Sequence, residues 1–532
     1  MSESWDREVD VLVVGTGAAG MTAAIAAADA GASVLIVEST GKWGGTTALS
    51  GGGLWMPTNP LVRGDSVEKA LTYMEAAIGE AGPASSPGRR RAFVETVPEV
   101  YAFLERLGVR WTASKDYPDY YPDRPGGMVG RGIEVEPFDT KKLGEWYETF
   151  RGRDSLPAPL KTDDVWLLSR AWSTPSGFVR GARFVFRTIW GLVRGKRLFG
   201  LGSALTASLF TILREQGVEV LLNSPLTDLV KSDGKVVGAI IGQNVRIKAA
   251  KGVILGGGGF AHNTEWREKH HGVQGYSSAA EGDLGEPIRI ATEVGATTDL
   301  MDDAWWGASV PLPGGEHHQF ILSERSMPFS IVVDETGERF TNESASYIDF
   351  GHAILERKAI PSWLIVDVRH RRRYLFNAFL QGTKKLREAG IVRSADTIEE
   401  LAVALDMEPA RLRATVDRFN GFARTGVDED FGRGRTVYDN YYGDPGVKPN
   451  PNLGPLEKGP FTAVQLVPGD LGTKGGLLTD ENGAVIGVPG LYAAGNTTAS
   501  VMGRTYPGPG STIGPAVVFG YRAGRDAASR SS

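Results

Sequence analysis

The 532-residue chain contains no cysteine. Disulfides, thiolate zinc or iron–sulfur centres and thioether-attached prosthetic groups are therefore excluded, and the composition fits a reducing cytoplasm. Long apolar runs are also missing, since no uninterrupted stretch could span a bilayer. The polar, acidic start, Met1–Asp10, does not read as a signal peptide. Histidine is scarce, with seven in all. Two adjacent pairs, His270–His271 and His317–His318, lack metal-ligand spacing; they are expected on the surface, and no metal site is expected. A formal net charge of −5 argues against nucleic acid as a partner. Repeats and low-complexity linkers are absent, and only the polar tail Arg530–Ser532 is disordered by composition.

Glycine is in excess, with 70 residues clustered where backbones must approach something closely. The first cluster, GTGAAG at Gly15–Gly20, follows the apolar run Val11–Val14 and opens a helical stretch. Gly15 permits a tight turn, Gly17 lets the backbone reach a pyrophosphate, and Gly20 lets helix and strand pack closely. Ala18 and Ala19 begin the helix, whose free N–H groups and positive dipole end suit phosphates. Glu38, closing the strand Ala32–Val37, is placed to accept hydrogen bonds from a ribose. These features predict a bound adenine dinucleotide.

The following loop, Gly41–Gly53, decides which one. Ser39, Gly44, Gly45, Thr46, Thr47, Ser50, Gly51 and Gly52 give it small residues and hydroxyls, as a backbone lying against an isoalloxazine requires. A linker would not carry Trp43, Leu49, Leu54 and Trp55. Two distant strand ends support FAD: Gly252–Phe260, with Gly257 and Gly258, and Gly490–Asn496, with Gly495 before Asn496. FAD is expected to be held non-covalently.

The pattern along the chain predicts an α/β protein: a Rossmann-type FAD-binding domain in two pieces with an inserted α+β substrate domain. The pieces are residues 1–301 and 468–532, and the insert is 302–467. Helices are expected over Ser66–Ala81, Gly88–Leu107 and Pro409–Thr425, with strands over Val218–Val230, Lys235–Ala249 and Ser330–Asp334. From Trp166 to Arg214 there are eight Lys or Arg and no acid, interleaved with Phe178, Phe184, Phe186, Trp190 and Phe199. Two readings of this basic aromatic segment, which overlaps a longer stretch at 142–199, stand. One is a helix in a membrane interface, making the protein peripherally membrane-associated; the other is a helix packed on the protein or a subunit with solvated arginines.

The richest stretch is Gly503–Gly524, which joins Tyr506, a Pro-Gly-Pro-Gly turn and a helix starting near Thr512 and Ile513. The Tyr506 hydroxyl and the Gly510 N–H can converge on one oxygen, as a carbonyl becoming an enolate requires.

Together with Asp470–Asp480 and Gly490–Ser500, this stretch resembles the 3-ketosteroid Δ1-dehydrogenase family. Tyr117–Pro122 is similar to that family's aromatic loop and implies a role for Tyr120. Gly337–Gly351 is similar to its substrate-domain motif and implies a role for Tyr347. The resemblance implies FAD-dependent 1,2-dehydrogenation of a 3-ketosteroid, from 4-ene-3-one to 1,4-diene-3-one. Tyr506 and Gly510 would stabilise enolate charge, at about 3–4 kcal/mol per donor. Tyr347 would take the C2 proton with help from Tyr120, or the two would exchange roles; hydride would pass from C1 to flavin N5. The electron acceptor, a quinone or another carrier, has no motif of its own. Alternatives are a ketosteroid Δ4-(5α)-dehydrogenase, a fumarate-reductase-like enzyme and a flavin-binding protein without turnover. Against fumarate, Thr473-Lys474 stands where such enzymes carry His before paired glycines, and Tyr347, Asp349 and Phe350 follow Asn342-Glu343 where an Arg is needed.

Overall fold

The computed structural model describes residues 4–530 apart from 156 and 316. Ser531 and Ser532 of the polar tail therefore lie outside the described residues. The principal strands are β1 (Arg7–Val14), β2 (Val34–Val37), β3 (Glu219–Leu221), β4 (Leu226–Ser232), β5 (Lys235–Ile241), β6 (Val245–Leu255), β7 (Ala304–Pro311), β8 (His318–Ile321), β9 (Ser330–Val333), β10 (Ser362–Val366), β11 (Val392–Ala395), β12 (Phe461–Thr473) and β13 (Leu491–Ala493). The principal helices are α1 (Ala18–Asp29), α2 (Val67–Ile78), α3 (Pro87–Arg106), α4 (Thr162–Leu168), α5 (Pro175–Val193), α6 (Leu201–Glu215), α7 (Tyr347–Arg357), α8 (Val437–Tyr442) and α9 (Ile513–Ser529).

The first sheet has the order β3-β2-β1-β6-β5-β4, and β13 also pairs with β6. Its centre is parallel, and Val11–Val14 are buried on both faces, as a helix-covered parallel sheet requires. Since β13 lies beyond residue 490 and pairs in register with Val253–Leu255, the Rossmann-type domain is built from two separate pieces of chain. Helix α9 completes it. Gly520 and Gly524 face the Ala19 and Ala23 carbonyls of α1, and an added Cβ would lie 2.4 and 2.2 Å from those oxygens.

The inserted domain carries the second sheet, in the order β8-β7-β12-β10-β9, with β11 also on β12. Clusters around Phe419 on one face and Phe350 on the other fill the two sides of this sheet. Strand β12 runs unbroken over Phe461–Thr473, so the expected boundary at 467 falls inside one strand.

Three expectations change. The stretch Lys235–Ala249 is two strands, because Gly242 at φ +60° turns the chain between β5 and β6. Residues 218–230 are also two strands, β3 and β4, on opposite edges of the sheet and divided by Asn223 at φ +53° and Pro225. The histidine pairs are not simply at the surface. His271 is half-buried against Phe260 and Trp306, and His318 shares a 3.0 Å hydrogen bond with Ser278.

Replacing Gly524 with Leu should force α1 and α9 apart. The expected cost is about 1–3 kcal/mol, read as a lower melting temperature with weaker retention of bound nucleotide.

Candidate active site

The groove at the start of α1 is assembled by the expected glycines and hydroxyls. A Cβ on Gly20 would lie 2.0 Å from the Gly15 carbonyl oxygen, and one on Gly15, at φ +98°, would lie 2.4 Å from Gly256 O. Glu38 accepts from Thr16 N and Oγ1, at 3.2 and 2.7 Å, and from Ser39 and Thr40. Thr47 Oγ1 accepts from the Ala18 N–H at 3.1 Å, and the Gly44 N–H donates to Thr16 Oγ1 at 3.0 Å. Gly45 lies beside Gly17, Gly51 faces open space, and Gly495 meets Ala19. Gly258 leaves room for Asp283, a buried carboxyl bonded to Thr46 that the sequence reading did not single out. Burial pushes Asp283 up to about 7. Gly52 serves packing instead, since its missing Cβ admits the Leu201–Gly202 backbone at 2.2 Å, and Gly257 likewise meets Pro287. Ser50 is spent on the Thr47 carbonyl. Beyond, Asn496 accepts from Trp305 Nε1 at 3.2 Å, in a recess shared with Ser511 and Thr512 ahead of α9. Small residues, close backbones and a helix N-terminus fit a long dinucleotide cofactor.

At the end of this groove three phenols from three parts of the chain meet. Ring centroids are 4.9 Å apart for Tyr347 and Tyr506, 5.2 Å for Tyr120 and Tyr506, and 5.7 Å for Tyr120 and Tyr347. All three are buried. Tyr347 is the first residue of α7, capped by Ser346, whose Oγ accepts from the Asp349 N–H. Asp349 also accepts from Tyr121, tying the helix start to the aromatic loop. Tyr120 is fixed by its N–H on the Pro507 carbonyl at 2.9 Å, and the Tyr73 hydroxyl shares that acceptor. Gly510 sits at φ +90° with Gly53 O only 2.1 Å from where a Cβ would stand, so this turn admits glycine alone.

The N–H groups of Gly510 and Thr512 face the Tyr506 oxygen. Burial pushes Tyr120 and Tyr347 well above the usual tyrosine range. Tyr506 is raised too, by the same burial, but hydrogen bonds from Thr512 and Tyr347 oppose the rise.

Further residues complete the wall. The Tyr117 hydroxyl lies 3.2 Å from that of Tyr120 and is also paired with that of Tyr442. Tyr438 packs 4.6 Å from Tyr120, Trp305 meets Tyr506 edge-on at 5.3 Å, and Phe320 flanks Tyr347 at 5.6 Å. The signal for two of these was Val437–Tyr442, a segment with three tyrosines in six residues.

A family model described as FAD binding domain matches residues 10–513. A 3-oxosteroid 1-dehydrogenase of Mycolicibacterium smegmatis is 43% identical, over 98% of this chain and 97% of its own. The chain belongs to the 3-ketosteroid Δ1-dehydrogenase family. FAD is the cofactor. A solved 3-ketosteroid Δ1-dehydrogenase of Sterolibacterium denitrificans, in complex with 1,4-androstadiene-3,17-dione, superposes with a TM-score of 0.90 at 37% identity, covering 98% of this chain and 99% of that one. The chain is also similar to a 4-oxocyclohex-2-ene-1-carboxylate 5-dehydrogenase of Sinomonas cyclohexanicum, at 36% identity over 98% of this chain and 93% of its own.

Beneath the Tyr120 loop, Arg131 bonds Asp119 and Asp65 at 2.7 Å each, with all three side chains at most 1% exposed. Asp119 also accepts from Trp55 Nε1 and the Met128 N–H. Arg131→Met should therefore strand two buried carboxylates and destabilise the protein by about 3–5 kcal/mol, measurable by urea denaturation of the holoenzyme.

Proposed function

We propose that this protein removes the C1 and C2 hydrogens of a 3-ketosteroid, turning a 4-ene-3-one into a 1,4-diene-3-one. The observation that carries this reading is the convergence of Tyr120, Tyr347 and Tyr506 beside the Gly510 N–H in an aromatic wall. An unactivated C–H bond gives up hydrogen with difficulty, but a C3 carbonyl acidifies C2. Tyr506 and Gly510 hold the ketone oxygen and stabilise its growing negative charge. Tyr347 takes the C2 proton. Burial keeps Tyr347 in its protonated form, so its own phenolic proton moves to Tyr120 as the C2 proton arrives, and Tyr120, linked by its hydroxyl to Tyr117, hands a proton on in turn. Bound FAD supplies the acceptor for the hydride that leaves C1. The Gly15–Gly20 turn and Glu38 would hold its phosphates and ribose, and Gly44–Thr47, Asn496 and Ile513 its ring end.

The wall also bears on substrate class. Lys474 is committed to Asp303, and Arg325 donates to the Ala345 carbonyl at 2.8 Å. The Lys474 ammonium is thus not spare for a carboxylate, and the tyrosine-rich wall fits a neutral polycyclic ketone better than an oxocyclohexane carboxylate. We assign residues 302–467 as the substrate domain, and 1–301 with 468–532 as the flavin domain.

A peripheral membrane site belongs to the same proposal. Among the described residues no helix is long and apolar enough to cross a membrane. Helix α5 nevertheless leaves Phe178, Phe186, Ile189, Leu192 and Val193 exposed, and Trp172 before it is 82% exposed. The arginines are not all solvated: Arg187 is paired with Asp164, and Arg170 is buried. Arg183, Arg194, Lys196 and Arg197 flank the apolar face, a pattern that suits an anionic bilayer. Reoxidation by a membrane quinone would follow from that placement.

Oxygen-free protein mixed with androst-4-ene-3,17-dione should lose its flavin colour and yield the 1,4-diene. Tyr347→Phe should slow this bleaching by at least about 10², and Tyr506→Phe by about 10²–10³. Bleaching by 4-oxocyclohexanecarboxylate alone, or a product desaturated elsewhere, would refute the reading. In flotation assays, Phe186→Glu with Trp190→Glu should abolish binding to anionic vesicles and spare activity on dissolved steroid.

A further inference from the structure

The mechanism leaves Lys474 without a task, although the sequence departs from fumarate-reductase-like enzymes at this point. Its side chain is fully buried, with Nζ 3.4 Å from Asp303 Oδ2 and 3.2 Å from the Thr505 carbonyl. It also lies 4.8 Å from the Trp305 ring centroid. Asp303 accepts from His352 Nε2 at 2.8 Å. Arg504 stands 4.0 Å from Asp303 and pairs with Asp302 at 2.8 Å, while Asp349 acts on Lys474 from farther away.

Burying an ammonium is costly, and a buried pair adds little net stability over apolar packing. Burial pushes Lys474 down to about 8, whereas Asp303, although burial opposes its charge, is drawn down to about 2 by Lys474 and His352. The geometry gives such a pair another use. Thr505 immediately precedes Tyr506. His352 stands on α7, whose first residue is Tyr347. Asp303 leads into β7, whose Trp305 packs edge-on against Tyr506. Lys474 follows β12 directly, and its N–H donates to the Asp303 carbonyl at 3.1 Å.

We propose that Lys474 is a positioning residue: through Asp303 and His352 on one side and the Thr505 carbonyl on the other, it fixes the spacing of Tyr347 and Tyr506, which come from different domains. The catalytic consequence rests on the proposed dehydrogenation; the mechanical link does not.

Lys474→Met keeps the stem and removes the donor, while Asp303 retains His352 and Arg504. In the holoenzyme, hydrogen–deuterium exchange should accelerate over residues 500–507 and 347–357 and stay unchanged over 15–30. Anaerobic flavin reduction by androst-4-ene-3,17-dione should slow roughly tenfold to a hundredfold with little change in steroid Kd. Asp303→Asn combined with Lys474→Met leaves no unpaired charge and carries the same test should the single variant not retain FAD. It should stay slow and exchange fast. Return to wild-type rate and exchange in the double variant, or no change in a folded single variant, would overturn the proposal. A wild-type enzyme that the steroid cannot bleach refutes the dehydrogenation instead, and the exchange measurement still decides the link.

Discussion

Everything else depends on how closely the start of α1 approaches the ends of β1 and β6. The Gly15 carbonyl would lie 2.0 Å from a Cβ on Gly20, and the Gly256 carbonyl 2.4 Å from one on Gly15. No other residue fits at either place without moving the helix. Because the helix is held there, its N-terminal dipole points along the groove that Glu38, Thr47 and Asp283 line. Helix α9 packs on α1 by the same device at Gly520 and Gly524, so the position of α9, and of the Tyr506–Gly510 turn before it, is inherited from that first contact.

Burial has opposing effects on the phenols. It raises the cost of a phenolate at Tyr120 and Tyr347, which hinders a base, and it strengthens each hydrogen bond to a developing enolate. In the proposed reaction the two effects fall on different phenols. Tyr506 has N–H groups facing its oxygen, which suits a group that must sit beside negative charge. Tyr120 leads instead to Tyr117 and Tyr442, a run of hydroxyls rather than fixed donors, which suits a group that must pass a proton.

Much of this was legible in the sequence, and the parts that were not share a cause. The dinucleotide turn, the returning strand at Leu491–Ala493 and the Tyr506–Gly510 turn each depend on a few adjacent residues, so a local pattern reveals them. Tyr120 and Tyr347 are reached only through family resemblance, because nothing local in the sequence sets them apart from other packing tyrosines. Tyr117, Tyr438 and Asp283 were missed because their neighbours lie far along the chain: Tyr442 is 325 residues from Tyr117, and Thr46 is 237 from Asp283. Strand limits failed where a single positive-φ residue, Gly242 or Asn223, interrupts an apolar run without changing its composition. The pairing of Arg187 is not legible within the basic segment, because Asp164, the acid that partners it, stands just upstream of that segment.

The continuity of β12 explains how phenols as far apart in the chain as Tyr347 and Tyr506 can be placed accurately. Strand β12 pairs with β7, setting Ala304 opposite Thr473 and Trp306 opposite Asp470. The register therefore places Asp303 next to Lys474 before either side chain contributes. From Thr473 the same chain continues to Asn496, Tyr506 and α9, while β7 lies under α7, where an added Cβ on Gly351 would stand 2.6 Å from Trp306 Cβ. A flexible linker in place of β12 would leave the two phenols to find each other anew in every molecule, at an entropic cost. A continuous strand makes their relative position a property of sheet register, and sheet register changes only in whole-residue steps that would exchange the residues packed on the two covered faces of β12.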